Sequence, residues 1–139
     1  MQKKQSVLSL FVMIGGLNGL VAVALGAFGA HGLKKILETN QTTAVYQTAA
    51  QYQMAHALAL LLVALLSERF ADAQRFRLIG WLFAAGILIF SGSLYLLALT
   101  NINYLGAITP LGGLCFLSGW TLLILAAKAG GNGGAENLR

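Results

Sequence analysis

The sequence predicts an all-α membrane protein whose four transmembrane helices form an up-down-up-down bundle with both termini in the cytoplasm. Composition is the first reason, because hydrophobic residues make up 58% of the chain and charged residues only 9%. A soluble domain carries about 25% charged residues, so this chain has too few to cover a surface that faces water. The other two reasons are the even spread of apolar residues over four runs and the basic residues that flank them.

The four runs define a single domain over residues 1–128. The predicted helices cover residues 7–30, 43–67, 78–99 and 106–127. At about 1.5 Å per residue, each can cross a hydrocarbon core of about 30 Å. The first run is longer than the roughly 7–15 apolar residues of a signal peptide, so it is interpreted as a retained helix. The glycine-rich stretch 129–139 is predicted to be a flexible tail.

The lysines and arginines predict the orientation in the membrane. All but two of the nine lie in the N-terminal lead, the 68–77 connection or the C-terminal tail, and the two exceptions are Lys34 and Lys35. The positive-inside rule therefore places both termini in the cytoplasm of a bacterial cell, with the protein in the inner membrane. The same flanking positions explain the net charge of +5, so we expect the lipid bilayer as a partner and no nucleic acid.

Polar residues of different helices fall at similar depths. At about 1.5 Å per residue, Asn18, His56, Ser91 and Ser93 lie within roughly 10 Å of a common plane near the middle of the bilayer. Unpaired polar groups cost several kcal/mol there, on the order given by transfer measurements. We therefore expect Asn18 and His56 to face inward and to bond each other or the two serines. These residues form a candidate midplane site, and both helix packing and a functional role are open.

A second candidate site lies on the outer face and consists of His31 and Tyr52. His31 ends the first predicted helix, roughly 10 Å from the level of His56, so one metal ion or haem does not reach both histidines without a break in a helix. The sequence therefore predicts no metal site. Tyr52 lies in the early turns of the second helix, where a tyrosine at headgroup level is ordinary.

The sequence predicts no catalytic residues. All four acidic residues lie outside the uncharged runs, and no HExxH or phosphate-binding motif is present. We therefore expect a protein that is not an enzyme, and the sequence assigns no cofactor. Small residues such as Gly15, Gly19 and Gly26 permit close helix contacts and predict a possible homo-oligomer through this face of the first helix.

Four motifs in order resemble those of the family called domain of unknown function 423, which is similar to the animal transmembrane protein 256 group. The stretches that carry the resemblance are Gly26–Leu33, Tyr52–Leu60, Phe90–Tyr95, and Gly106–Gly113 with Gly119 and Trp120. The resemblance spans about residues 10 to 125. It implies a four-helix inner-membrane protein without an established enzymatic activity. It also marks His31, His56, Ser91 and Pro110 as motif positions.

The functional hypothesis is a non-enzymatic integral membrane protein whose polar midplane cluster serves packing or contact with a partner. Two alternatives are open. One is a small-molecule or ion transporter, or a channel-like protein, that uses Asn18, His56 and Ser91. The other is a protein that binds haem, a metal or a quinone through a histidine.

Overall fold

The computed structural model describes the backbone of residues 2–70 and 72–136 and the side chains of residues 6–70 and 72–129. A short π-helical segment joins α4 to α5, and a 3-10 helix precedes α6. The helices are α1 (Gln2–Ala30), α2 (Lys34–Thr39), α3 (Thr43–Arg69), α4 (Ala73–Gly86), the π segment (Ile87–Ser91), α5 (Gly92–Thr100), the 3-10 helix (Asn103–Ala107) and α6 (Thr109–Glu136).

Four helical segments are long and apolar enough to cross a membrane, and they confirm the prediction of an all-α protein with four transmembrane helices. They cover Ser6–Ala30, Thr43–Arg69, Ala73–Thr100 and Asn103–Ala129. Large apolar side chains on their outer surfaces are exposed, as lipid-facing residues are in a single bundle.

Three helix boundaries differ from the sequence prediction by five residues or more, and the first is the start of α1, which lies at Gln2 rather than at residue 7. The third span begins before residue 78, because the carboxylate of Asp72 accepts a hydrogen bond from the backbone N–H of Arg75 (2.9 Å) and caps α4. Such a cap stabilises a helix start by about 1 kcal/mol. At the other end of the chain, α6 continues to Glu136 through part of the stretch predicted to be a flexible tail.

The central helix of the bundle is α3, which packs along α1 on one side and against the third span on the other. One face of its middle turns is fully covered, where Leu60, Val63 and Ala64 are each 0% exposed, whereas Leu58 on the other face is 59% exposed. The helix α6 packs on the third span. The buried polar residues of α3, Gln53, His56 and Ser67, therefore face neighbouring helices rather than lipid.

The third span and α6 interlock through glycines that face phenylalanines. The ring of Phe116 on α6 occupies the space where a side chain at Gly86 would lie, and the ring of Phe83 on α4 does the same at Gly119. Small residues of this kind let two membrane helices approach closely. The close approach brings the rings of α6 up to His56 on α3.

We call one end of the bundle the α2 end, because it carries α2, the loop after it and the connection from α5 to α6. We call the opposite end, where the chain begins and ends, the terminal end. The loop after α2 closes over α5: Thr42 Oγ1 donates to the carbonyl of Ala98 (2.7 Å), and Asn40 Nδ2 donates to those of Ala98 (3.1 Å) and Leu99 (3.2 Å). Carbonyls in the last turn of a helix lack partners within it. These side chains therefore complete the end of α5.

The glycines of α1 do not share one face. A Cβ at Gly15 would lie 3.0 Å from the carbonyl oxygen of Ala57, so this glycine serves the contact between α1 and α3 within the chain. The prediction that Gly15 belongs to an oligomer face is wrong for that reason. A Cβ at Gly19 or Gly26 would meet nothing within 4 Å, and a homo-oligomer through these two positions stays a prediction.

Candidate functional site

The residues predicted to form one midplane cluster lie at similar depths, but the structure divides them into three separate groups. His56 bonds Trp120, Ser93 bonds Thr109, and Asn18 belongs to a third group together with Ser91. Asn18 and His56 therefore bond neither each other nor the two serines, and the expectation that they would is wrong. The reason is that His56 points from α3 towards Trp120 on α6, whereas Asn18 on α1 meets α3 at Gln53.

His56 lies in an aromatic cage between α3, α4 and α6. Its imidazole stacks on the ring of Phe116, with centroids 3.5 Å apart and planes at 11°. The rings of Phe83, Tyr52 and Trp120 surround this pair at 5.5, 5.9 and 6.2 Å from the imidazole. Only 6% of His56 is exposed, so the cage separates the imidazole from lipid.

Both nitrogens of His56 have hydrogen-bond partners. Trp120 Nε1 donates to His56 Nε2 at 3.2 Å, and Nδ1 lies 2.9 Å from the carbonyl oxygen of Tyr52. An indole N–H only donates, so Nε2 is the acceptor, and the ring proton sits on Nδ1 and is donated to the carbonyl. This tautomer is neutral and has no free lone pair in the ring for a metal.

Ser93 points away from the other midplane residues. Its hydroxyl donates to the carbonyl of Phe90 (3.0 Å) and lies 2.8 Å from Thr109 Oγ1 at the start of α6. The pair joins the third span to α6 close to Pro110, which lies in the first turn of α6 as expected for a helix-initiating proline. We assign Ser93 to packing between these two helices.

The third group lines a groove of about 250 Å³ between α1, α3 and the third span, here called the Ser91 groove. Tyr95 donates its hydroxyl hydrogen to Gln53 Oε1 (2.8 Å), and Gln53 Nε2 donates to Asn18 Oδ1 (3.5 Å). Asn18 Nδ2 in turn donates to the carbonyl of Ile14 (2.9 Å). The remaining walls of the Ser91 groove are apolar and consist of Leu25, Ala84, Ile87, Leu88 and Gly92. One side opens to lipid, where Leu88 is 76% exposed.

Ser91 lies at the floor of this groove and is unlike the other hydroxyls of the spans. It is 1% exposed, and its Oγ has no hydrogen-bond partner in the part of the chain that the structure describes. In contrast, Ser67 and Thr48 donate to carbonyls of their own helix, 2.7 Å from Ala64 O and 2.9 Å from Ala44 O. A buried polar group without a partner costs about 1–3 kcal/mol. Ser91 also ends the π segment, a rare geometry that is frequent at functional sites.

The Ser91 groove offers free hydrogen-bond donors alongside the acceptor lone pairs of its side-chain oxygens. The Ser91 hydroxyl hydrogen is unused, and the amide groups of Gln53 and Asn18 each carry one N–H beyond those already bonded. The residues that line the groove are uncharged. The groove therefore suits a neutral group that accepts hydrogen bonds.

The structure does not join His31 and Tyr52 into an outer-face site. His31 is exposed in the turn after α1, whereas the ring of Tyr52 packs 4.5 Å from that of Phe90 and beside the cage of His56. Among the described residues, no group of three or more His, Cys, Asp or Glu side chains could hold a metal ion.

Sequence reasoning missed three of the polar partners: Gln53, Tyr95 and Trp120. Gln53 was expected near the headgroups with Tyr52, yet it is 5% exposed and bonds residues of two other helices. The available signal was its place in a membrane span, because a long polar side chain in hydrocarbon must find a partner. Tyr95 and Trp120 lie towards the ends of their spans, and nothing in their spacing shows which helix they face.

Comparison with known proteins shows which family this chain resembles. Residues 25–113 match the family described as "Protein of unknown function (DUF423)". The chain is 46% identical over 120 residues to the UPF0382 membrane protein YwdK of Bacillus subtilis, covering 86% of this chain and 97% of that protein. It is also 46% identical over 119 residues to the UPF0382 membrane protein SAB0533 of Staphylococcus aureus, covering 86% and 95%.

No solved structure matches the chain at a significant level. The family match covers more than half of the chain, and the two relatives match over nearly their whole length. The four membrane-spanning helices agree with the relatives' description as membrane proteins. The chain therefore belongs to the DUF423 family, as its motifs predicted.

Proposed function

We propose that this protein is a non-enzymatic bacterial inner-membrane protein that binds a neutral, lipophilic carbonyl compound, such as a quinone, in the Ser91 groove. The observation that carries the proposal is the buried Ser91 hydroxyl, which has no partner among the described residues and lies beside the hydrogen-bonded chain of Tyr95, Gln53 and Asn18. A carbonyl oxygen in the groove accepts from this hydroxyl and removes the cost of its burial.

The walls of the groove support a lipophilic rather than a water-soluble ligand. Leu25, Ile87 and Leu88 provide apolar contact, and the opening faces the hydrocarbon region. Asn18 lies at the middle of the Ser6–Ala30 span, and Ser91 lies within a few residues of the middle of its own span. A ligand dissolved in the bilayer therefore enters laterally without crossing the headgroup layer.

The proposal assigns two different roles to the residues of the predicted cluster. His56 and Ser93 serve packing, because their polar atoms are already paired with Trp120 and Thr109. Asn18 and Ser91 serve binding. The alternatives of a metal or haem bound through His56 are disfavoured by the same pairing, since both ring nitrogens are engaged.

The orientation forms part of the proposal. The terminal end of the bundle carries Arg69, Arg75, Arg77 and Lys128, and the α2 end carries Lys34 and Lys35. This distribution supports a cytoplasmic position for both termini. It also accounts for the positive net charge, so no nucleic acid is proposed as a partner.

Binding of a benzoquinone with one isoprenyl unit to the purified protein in lipid nanodiscs tests the proposal. The free donors of the groove should bind the carbonyl oxygens of the quinone. Ser91→Ala should weaken quinone binding about three- to tenfold, the effect of one neutral hydrogen bond. Ser93→Ala is the matched control, because it removes a hydroxyl from the same span outside the groove.

Infrared spectroscopy of the quinone labelled with ¹³C at its carbonyls identifies the bond itself. The carbonyl stretch should move to lower frequency on binding to the wild type and should return towards its free position in Ser91→Ala. Equal binding by wild type and Ser91→Ala would contradict the assignment of the groove to a carbonyl acceptor.

A further inference from the structure

A second cavity lies at the α2 end of the bundle, away from the Ser91 groove. It measures about 240 Å³ and is enclosed by the last turns of α1, by α2 and by the first turns of α3. The polar residues that line it are Lys34, Glu38, Thr43, Tyr46 and Gln47. We call it the α2 cavity.

The α2 cavity lies at the level of the lipid headgroups. It is formed where the Ser6–Ala30 span ends and the Thr43–Arg69 span begins. The short helix α2 lies across this position with Leu37 buried (1% exposed) and with Lys34 and Lys35 exposed. A segment with one apolar face and basic residues on the other is typical of the boundary between hydrocarbon and water.

The inner wall of the cavity is fixed by Tyr46. Its hydroxyl donates to the carbonyl of Leu25 (2.8 Å), and its ring fills the space beside Gly29, where any side chain would collide with it. The ring also packs edge-on against Tyr95, with centroids 4.9 Å apart. This wall keeps the α2 cavity apart from the Ser91 groove, which Tyr95 and Leu25 line from the other side.

The rim of the cavity presents a cation and an anion side by side. Lys34 Nζ lies 3.9 Å from Glu38 Oε1, and the two side chains are 66% and 60% exposed. Such an exposed pair at the limit of contact holds its partners weakly. Both groups therefore stay available to a ligand, and the oxygens of Thr43 and Gln47 line the same cavity as further acceptors.

We propose that the α2 cavity binds the headgroup of a phospholipid that carries a primary amine, of the phosphatidylethanolamine class. The phosphate pairs with the Lys34 ammonium. The lipid's ammonium donates hydrogen bonds to the Glu38 carboxylate and to the Gln47 and Thr43 oxygens. The acyl chains extend along the exposed apolar surface beside Gly26, which lines the cavity and leaves it open.

This arrangement distinguishes between lipid headgroups by chemistry. A choline headgroup has the same charges but no N–H to donate, so it loses the bonds to Glu38, Gln47 and Thr43. A glycerol headgroup has no cation and leaves Glu38 without a partner beside the lipid phosphate. The cavity should therefore bind the primary amine in preference to both.

Native mass spectrometry of the delipidated protein in detergent, titrated with dioleoyl phosphatidylethanolamine, dioleoyl phosphatidylcholine or dioleoyl phosphatidylglycerol, tests the inference. The wild type should bind the ethanolamine lipid at least about tenfold more tightly than the choline lipid. The loss of a single charge-assisted hydrogen bond, the one to Glu38, already implies a difference of that size. Glu38→Gln should reduce this preference severalfold. Lys34→Gln should weaken binding of the ethanolamine lipid, whereas Lys35→Gln, on the same helix but outside the cavity, should not.

Three outcomes would overturn the inference. Equal affinity for the ethanolamine and choline lipids shows that the oxygens of Glu38, Gln47 and Thr43 do not select the headgroup. Equal effects of Lys34→Gln and Lys35→Gln show non-specific attraction to a basic helix. Binding of soluble glycerophosphoethanolamine as tight as that of the intact lipid shows that the ligand is a free phosphate ester. All three variants change exposed side chains, and circular dichroism verifies that the helices are retained.

Discussion

The contact between Trp120 and His56 gives a direct test of the packing role assigned to the histidine. Trp120→Phe keeps an aromatic ring in the cage but removes the N–H that donates to His56 Nε2 at 3.2 Å. His56 is 6% exposed, so water does not replace the lost donor. Interhelical hydrogen bonds in membranes contribute about 0.6–2 kcal/mol, and an orphaned buried acceptor costs about 1–3 kcal/mol. We expect the free energy of unfolding to fall by about 1 kcal/mol.

A double-mutant cycle separates the hydrogen bond from the loss of ring area. In the His56→Leu background Trp120→Phe leaves no buried acceptor without a partner. The loss in free energy of unfolding caused by Trp120→Phe should therefore be smaller there by at least about 0.6 kcal/mol. Trp81→Phe is the matched control, because Trp81 is 48% exposed, against 40% for Trp120, and its ring packs on Phe11 rather than on the histidine.

Reversible unfolding in mixed micelles by sodium dodecyl sulfate, followed by circular dichroism, supplies the free energies for this cycle. Independent sites show additive effects to within about 0.3–0.5 kcal/mol. The reasoning would be refuted if the effects of Trp120→Phe and His56→Leu on the free energy of unfolding added up to that of the double variant within this margin. A coupling of similar size between His56 and Trp81 would refute it too. It would show a general softening of the bundle rather than loss of one bond.

Further predictions concern packing, the α2 end and orientation. Gly112→Ala should lower the free energy of unfolding by about 1–3 kcal/mol, because its Cβ would collide with the backbone of the π segment, while Gly113→Ala, whose nearest neighbour is 4.0 Å away, should change it little in the same assay. Thr42→Val should lower the thermal midpoint by a few degrees, because it removes the 2.7 Å hydrogen bond to the carbonyl of Ala98. Gln41→Cys, in a variant whose native cysteine is replaced, should react with a membrane-impermeant maleimide added outside spheroplasts. Labelling only after lysis would contradict the proposed orientation.

The fold could be predicted from sequence because its signals are local and redundant. Composition, run length and the flanking basic residues each indicate four spans, and no long-range information is needed to count them. The start of the third span was harder to predict. Arg75 and Arg77 resemble loop residues, but a polar first turn of a membrane helix lies in the headgroup region, where charges are solvated and Asp72 caps the backbone.

The candidate site could be predicted in depth but not in direction. Counting 1.5 Å per residue places Asn18 and His56 at one level, and both are at the middle of their spans in the structure. Depth does not state which neighbour a side chain faces. The separation of the two serines was nevertheless available, because Ser91 and Ser93 are two residues apart and thus point about 200° away from each other on a helix. One helix could not present both to the same cluster.

The π segment explains why the remaining geometry was beyond sequence reasoning. Residues 87–91 read Ile-Leu-Ile-Phe-Ser. Ser91 and Gly92 form a glycine-serine pair of the kind that marks a distorted helix, but such a pair does not specify a π turn. Its wider turn changes the rotation of α5 relative to α4. The helix α4 can then interlock with α6 through Gly86, while α5 turns its end to the loop that carries Thr42. Ser91 lies at the junction of these two faces and lines the groove. A regular α-helix through the same residues would shift Ser91 away from this position, so the binding proposal depends on the π segment as much as on the serine.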